Sequence, residues 1–208
     1  MSRYSFDDLT DVANLNPEIF DQFPTPDNGP APTEETISLA EKQLGVVFPD
    51  DYRKTIARWG YLELGSDLGF FGINNNDPSK FTSEPCNVVY DTLEARSEIG
   101  LPKKYIVIFN DSGDGDEYGV IDVKTGAVLA FDRWGSGDSV ELSESFIDYV
   151  FHELIKHRRS NEVVYETTFK WPEYLIPRIS EDSQEMKEEL DELDELFDAI
   201  DIELQKLK

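Results

Sequence analysis

An acidic turn is the densest group of side chains that could do chemistry. Residues 110–118 read Asn-Asp-Ser-Gly-Asp-Gly-Asp-Glu-Tyr. Asn110, Ser112 and Asp114 fit the first, third and fifth positions of a calcium loop, but Ile121 stands at the twelfth, where that loop needs a bidentate glutamate. The segment instead favours a tight turn, in which glycine supplies a positive φ and aspartate accepts backbone N–H groups. We therefore predict no metal site.

The same turn could also present carboxylates to lysine or arginine side chains of a protein partner. A second segment of interest places Trp134 in a glycine-rich loop, Asp132-Arg133-Trp134-Gly135-Ser136-Gly137-Asp138. A large aromatic side chain in such a loop is typical of an interface anchor, although packing onto a sheet edge is the alternative. The predicted partner-binding residues are Asp111, Asp114, Asp116, Glu117, Asp132, Trp134 and Asp138.

Catalytic arrangements are not found in the sequence. His152 and His157 are five residues apart, which turns a helix by roughly 140° and directs the two rings apart. A phosphate-binding Gly-Lys-Ser loop and a serine nucleophile elbow are both missing. Cys86 lacks a context that would lower its pKa, and we expect it to be a small buried residue. We predict a protein that is not an enzyme, with no catalytic residue and no cofactor.

Charge sets the class of partner. The 208 residues carry a net charge of −25, and the acids are spread along the whole chain. Such a surface repels nucleic acid and anionic membranes and attracts basic proteins, although acidity can also serve solubility alone. One cysteine, no secretory signal and no apolar run of membrane-spanning length lead us to expect a soluble, cytoplasmic protein.

Hydrophobic periodicity predicts the elements that must position these residues. Apolar spacing, caps and glycine stops predict helices and strands in a mixed order. The predicted helices start at Thr33, at Asp50 or Asp51, at Val88 and at Ser143 or Glu144, and the predicted strands cover 61–64, 68–73, 105–109, 117–123, 127–132 and 162–169. The sequence Ile176-Pro177 is interpreted as a break before a long helix over 180–208.

Several short motifs occur together in a characteristic order. They are Glu41-x-x-Leu44-Gly45 with Phe48-Pro49-Asp50-Asp51-Tyr52, Trp59-Gly60, Leu101-Pro102, the acidic turn followed by Ile121-Asp122 and Gly126, and Ser145-Phe146. Through them the chain resembles the SUKH superfamily, the Smi/Knr-type domain, from Thr33 to about His157. The resemblance implies an α+β fold, in which helices pack a twisted, mostly antiparallel sheet. It also implies an intracellular immunity protein that blocks a polymorphic toxin, commonly a nuclease.

The two ends of the chain depart from this family pattern. We divide the chain into an N-terminal extension with a proline-rich linker (1–32), the SUKH-like domain (33–158), a connecting segment (159–179) and an acidic, amphipathic C-terminal helix (180–208). The last helix has apolar residues at heptad spacing, so it could fold back onto the domain or pair with another chain. Its clustered acids oppose a parallel homodimer, which favours a monomer.

The leading hypothesis is an immunity protein whose acidic face covers the basic cleft of a toxin. The alternative is a regulatory scaffold that binds an endogenous cytoplasmic protein, as the fungal members of the resembled family suggest. A third hypothesis uses the acidic turn as an enzyme site or calcium sensor. We expect no direct contact with nucleic acid or membrane.

Overall fold

The computed structural model describes most of the chain as an α+β fold. The described residues are 2–20, 31–64, 68–73, 76–83, 85–110, 117–132, 134, 139–160 and 169–187. The helices are α1 (Phe6–Leu15), α2 (Pro17–Phe20), α3 (Glu34–Leu44), α4 (Asp50–Trp59), α5 (Val88–Glu98), α6 (Phe146–Ser160) and α7, described over 176–187. The strands are β1 (Leu62–Leu64), β2 (Leu68–Phe70), β3 (Tyr105–Asn110), β4 (Glu117–Asp122), β5 (Val128–Asp132) and β6 (Ser139–Ser143).

Local signals explain where the helices begin and end. Ser5 and Asp8 form a capping box at the start of α1, because each side chain accepts the backbone N–H of the other. The Thr33 hydroxyl caps α3, and Gly45 ends that helix with a φ of 70° that a larger residue rarely adopts. These caps explain why α1 and α3 begin where they do and why α3 ends at Gly45.

Strands β3, β4, β5 and β6 form an antiparallel sheet in that order. One face of the sheet packs with α6 into the larger hydrophobic core, through residues such as Ile121 and Val128. The other face packs Val107 and Val120 against Ala95 of α5 in a smaller core. The predicted α+β class with a largely antiparallel sheet packed by helices is therefore confirmed.

Two register shifts bend this sheet. One leaves Ile108 opposite no residue of β4, and the other leaves Leu142 opposite no residue of β5. Beside the first bulge, the ring of Phe109 lies over Gly119, so closely that a Cβ at position 119 would fall 2.1 Å from the ring. Gly119 is therefore required by packing.

The N-terminal and C-terminal segments hold each other against α6. The Tyr4 ring stacks on Phe151 with ring centroids 4.0 Å apart. The buried Asn16 side chain donates to the carbonyl of Lys170 at 2.8 Å and accepts the Lys170 N–H at 2.7 Å. The Arg178 guanidinium lies 5.3 Å from the centroid of the Tyr4 ring. Residues from opposite ends of the sequence thus pack together in the same part of the core.

Several local predictions are wrong. Residues 139–143 form strand β6, which is not among the predicted strands. Helix α6 begins at Phe146 rather than at Ser143 or Glu144, and the Ser145 hydroxyl accepts the N–H of Asp148. Pro177 does not interrupt the secondary structure. It lies in the first turn of α7, where a backbone N–H has no helical partner and its absence costs nothing. Cys86 is exposed and has a φ of 60°, so it is not a buried residue.

Other predictions fall outside the described residues. This is true of 161–168, the main part of the strand predicted over 162–169, and of 188–208 in the predicted C-terminal helix. The described part of that helix folds back on the same chain, where Met186 joins the larger core.

Candidate partner-binding surface

The described members of the predicted partner-binding set, Glu117, Asp132 and Trp134, lie at one end of the sheet. Asn110 pairs with Tyr118, Glu117 pairs with Asp132, and Phe131 pairs with Ser139, so the β3–β4 and β5–β6 connections leave from the same end. We call this the acidic end. It comprises residues 110–117 and 132–138, which hold six acids and one arginine in the sequence.

Glu117 and Asp132 form a like-charged pair at the acidic end. They are directly opposite partners in the antiparallel ladder between β4 and β5. Opposite residues in such a ladder bring their Cβ atoms to about 5 Å, and like charges there destabilise the sheet. Glu117 is exposed and Asp132 is half-buried. The ladder therefore sets two carboxylates side by side at the acidic end.

Trp134 stands beside this pair. Its backbone N–H donates to Asp132 Oδ1 at 2.7 Å, which fixes the chain leaving β5 in a tight Asx turn. The side chain is 78% exposed. A large aromatic group that is open to solvent next to carboxylates combines an apolar contact with charge, as interface hot spots do.

The other predicted residues of this surface are outside the described residues. They are Asp111, Asp114, Asp116 and Asp138. Their part in partner binding stays a prediction.

At the opposite end of the sheet, the aspartate Asp122 is paired with a lysine. Lys104 Nζ lies 2.8 Å from Asp122 Oδ2, and the Lys124 N–H donates to Asp122 Oδ1. Burial opposes ionisation of Asp122, but these hydrogen bonds outweigh it and lower its pKa. The hydrogen bond to Asp122 raises the pKa of Lys104 to about 12. Asp122 is thus neutralised by a neighbouring lysine.

A cavity of about 320 Å³ lies beside β6, and sequence analysis does not predict it. It is lined by Arg3, Tyr4, Leu142, Ser143, Asp148, His152, Ile155, Asp182, Glu185 and Met186. Three carboxylates therefore face one guanidinium. No short-range pattern could have revealed this site, because its walls come from the N-terminus, β6, α6 and α7.

The carboxylates of the cavity are tied to the N-terminal segment. Asp148 accepts the N–H groups of Arg3 and Tyr4 at 2.9 and 2.8 Å. The Arg3 guanidinium lies 2.7 Å from Asp182 and 3.5 Å from Glu185, and the Glu185 side chain is 66% exposed. Asp148 and Asp182 thus shape the cavity, while Glu185 stays accessible to a further cation.

The described residues contain neither a candidate metal site nor a candidate membrane span. No group of three or more His, Cys, Asp or Glu side chains there could hold a metal ion. No helix in the described ranges is both long enough and apolar enough to cross a membrane.

Comparison with known proteins identifies the family. The model of the family SUKH_5, described as SMI1-KNR4 cell-wall, matches residues 12–155. No curated protein matches the chain. The family match runs from the last turn of α1 into α6 and includes β4 and β5, and it confirms the resemblance stated from the sequence motifs. The chain therefore belongs to the SMI1-KNR4 family of the SUKH superfamily.

Proposed function

We propose that this protein is an immunity protein, which binds a basic protein toxin through the acidic end of its sheet and blocks it. The observation that carries the proposal is the Glu117–Asp132 pair beside the exposed Trp134. The pair sets two carboxylates side by side next to an exposed aromatic ring, an arrangement that is complementary to the lysine and arginine side chains of a basic partner. Membership of the SUKH superfamily and the net charge of −25 support the same role.

The mechanism is occlusion by binding, without a chemical step. A nuclease-type toxin presents lysine and arginine around its nucleic-acid cleft, and a cluster of carboxylates is complementary to that cleft. Long-range attraction speeds the encounter, and this part of the affinity weakens as salt rises. Burial of Trp134 in the contact then slows dissociation. The toxin is held with its cleft covered.

Co-expression tests this proposal directly. The full chain is expressed with the product of each neighbouring open reading frame, and growth and co-purification are measured. We expect one neighbour to arrest growth alone and to be neutralised and co-purified with this chain. If no neighbour is toxic, or if the toxic one is neither bound nor neutralised, the proposal is wrong.

Matched variants test the surface. Glu117→Lys with Asp132→Lys should weaken toxin binding strongly, and Trp134→Ala should speed dissociation. The control is Glu35→Lys with Glu98→Lys, which changes the net charge equally at two exposed helix positions outside the acidic end. Equal losses in the two double variants would mean that only net charge matters, and would remove the acidic end from the proposal.

The second candidate function is a regulatory scaffold that binds an endogenous protein. The description of the matched family, which names the cell wall, favours it. Deletion of the gene in a strain that lacks the neighbouring genes separates the two. Altered sensitivity to wall-active agents in that strain would support the scaffold, whereas an immunity protein is dispensable there.

A further inference from the structure

We propose that β6 receives an extended, basic segment of the partner as a fifth strand of the sheet, with one lysine or arginine side chain entering the cavity beside it. This inference rests on the proposed function, since it describes how the toxin would be held. It concerns a different part of the surface from the acidic end, although the two adjoin.

The two edges of the sheet differ in how they are covered. At the β3 edge, the Phe71 N–H donates to the Ile108 carbonyl at 2.5 Å, so residues next to β2 cover that edge. Within the described ranges, β6 pairs with β5 alone. Exposed edges are normally protected by charged side chains, proline or bulges. The β6 sequence Ser-Val-Glu-Leu-Ser contains no lysine or proline, and its one charged residue, Glu141, is acidic, which opposes an acidic strand and favours a basic one. The β6 edge is therefore a template for an added strand.

The side chains of β6 add an apolar contact to this edge. Val140 is 65% exposed and Leu142 is 40% exposed. Val140 is opposite Ala130, and strand alternation puts both on the same face as Glu117 and Asp132. A strand added here would cover Val140 while its end approached the acidic end. The bulge at Leu142 places that side chain in the wall of the cavity.

The charge of the cavity indicates the chemistry of the occupant. Leu142 and Ser143 line it together with Glu185, so a long side chain on a strand next to β6 can reach its carboxylates. Asp148 and Asp182 outnumber Arg3 even before Glu185 is counted. A lysine or arginine, whose aliphatic stem can lie along Leu142, Ile155 and Met186, fits this mixed lining.

A second copy of the chain fits the edge less well. Pairing of two β6 strands would bring two Glu141 side chains and two cavities with excess carboxylate into one interface. Each copy would also contribute a net charge of −25. Like charges that meet across an interface oppose association. The charge thus favours a basic partner over self-association.

The test uses the full chain, isotopically labelled, and a synthetic peptide that alternates lysine with valine and threonine. Amide chemical shifts and hydrogen exchange of the chain are measured at millimolar peptide. We expect shifts and added protection at 139–143. The matched control peptide is N-methylated at alternate amides, which keeps its charge and removes its donors. It should bind about tenfold more weakly, because main-chain hydrogen bonds supply the affinity of an added strand.

The variants Val140→Pro and Glu141→Pro form an internal control. Neighbouring N–H groups of a strand point in opposite directions, so one of the two prolines removes an outward N–H and the other removes a bond to β5. The variant that keeps its thermal midpoint should lose peptide binding. Equal binding of the methylated peptide, changes away from β6, no change at all, or a β6-dependent dimer would each overturn the inference.

These outcomes are separate from those of the co-expression experiment. If a toxin is neutralised but the peptide does not add to β6, the proposed function stands and the fifth strand is wrong. If the peptide adds to β6 but no neighbouring product is bound, the edge site stands and the immunity role is wrong.

Discussion

The like-charged pair of β4 and β5 allows a quantitative prediction. Replacing Glu117 by glutamine removes the repulsion from Asp132, and Glu117→Lys replaces it with attraction. A cross-strand charge pair contributes roughly 0.2–1 kcal/mol in either direction. We therefore expect Glu117→Gln to raise the free energy of unfolding by about 0.5 kcal/mol, and Glu117→Lys to raise it by about 1 kcal/mol. The same substitutions should weaken binding of a basic partner.

The assay is urea denaturation, since urea carries no charge and does not screen the pair. A double-mutant cycle with Glu117→Gln and Asp132→Asn isolates the coupling between the two side chains. Asparagine keeps an Oδ1 that can accept the Trp134 N–H, so the turn after β5 is preserved. The coupling should be repulsive by about 0.5 kcal/mol at low salt and should fall in about 1 M salt, where the Debye length is about 3 Å.

Three results would each refute the prediction that Glu117 and Asp132 repel each other. If Glu117→Lys lowers stability, or if the coupling with Asp132 is attractive or indifferent to salt, then the pair is not repulsive. Fold stability would then be sufficient to explain it, and the main observation behind the proposed binding surface would be lost.

Three further predictions concern stability. Gly119→Ala should cost about 2 kcal/mol in urea denaturation, because the new Cβ displaces the Phe109 ring. Asn16→Ala should cost about 1 kcal/mol in the same assay, because it removes the two hydrogen bonds that the buried Asn16 side chain makes with the main chain of Lys170. Asp91→Asn should change the pH dependence. Burial raises the pKa of Asp91 to about 6, so this carboxyl favours the folded state at acid pH and loses that contribution as pH rises through about 6. The stability of the asparagine variant relative to the parent, measured by thermal denaturation, should therefore increase between about pH 4 and pH 6, by up to about 3 kcal/mol.

Each of these three has a specific contrary outcome. An unchanged midpoint of urea denaturation for Gly119→Ala would mean that the Phe109 ring can move aside without cost. Asn14 is exposed and serves as the control. If Asn14→Ala lowers the free energy of unfolding as much as Asn16→Ala does, the buried Asn16 side chain has no special role. A constant difference between Asp91→Asn and the parent across this pH range would show that the carboxyl does not titrate there.

Much of the fold could be predicted because its signals are local. Apolar spacing predicts a helix that starts at Val88, and helix α5 starts at this residue in the structure. Helix α3 was placed by Thr33 and Gly45, which cap it in the structure. In each case a few neighbouring residues determine the backbone, so periodicity and capping are sufficient to find the element.

Strand β6 could not be recognised so readily. Its five residues alternate polar and apolar side chains, but they lie next to serines and acids that also suit a helix start. The break predicted at Ile176-Pro177 was wrong because proline has two opposite effects on helices. It ends a helix when it lies in the helix interior, but it is favoured in the first turn. The cavity and the pairing of Asn16 with Lys170 depend on residues far apart in sequence, which no local pattern connects.

The pairing of the two ends of the chain has a consequence for synthesis. A ribosome that adds about 5–20 residues per second makes Lys170 roughly 8–30 seconds after Asn16. During that interval the nascent chain carries Tyr4, Asn16 and Phe151 without the segment whose Arg178, Lys170 and Trp171 contact them. The last layer of the core therefore forms after most of the polypeptide has emerged, and a prematurely terminated product that lacks 169–187 presents apolar surface to chaperones and proteases.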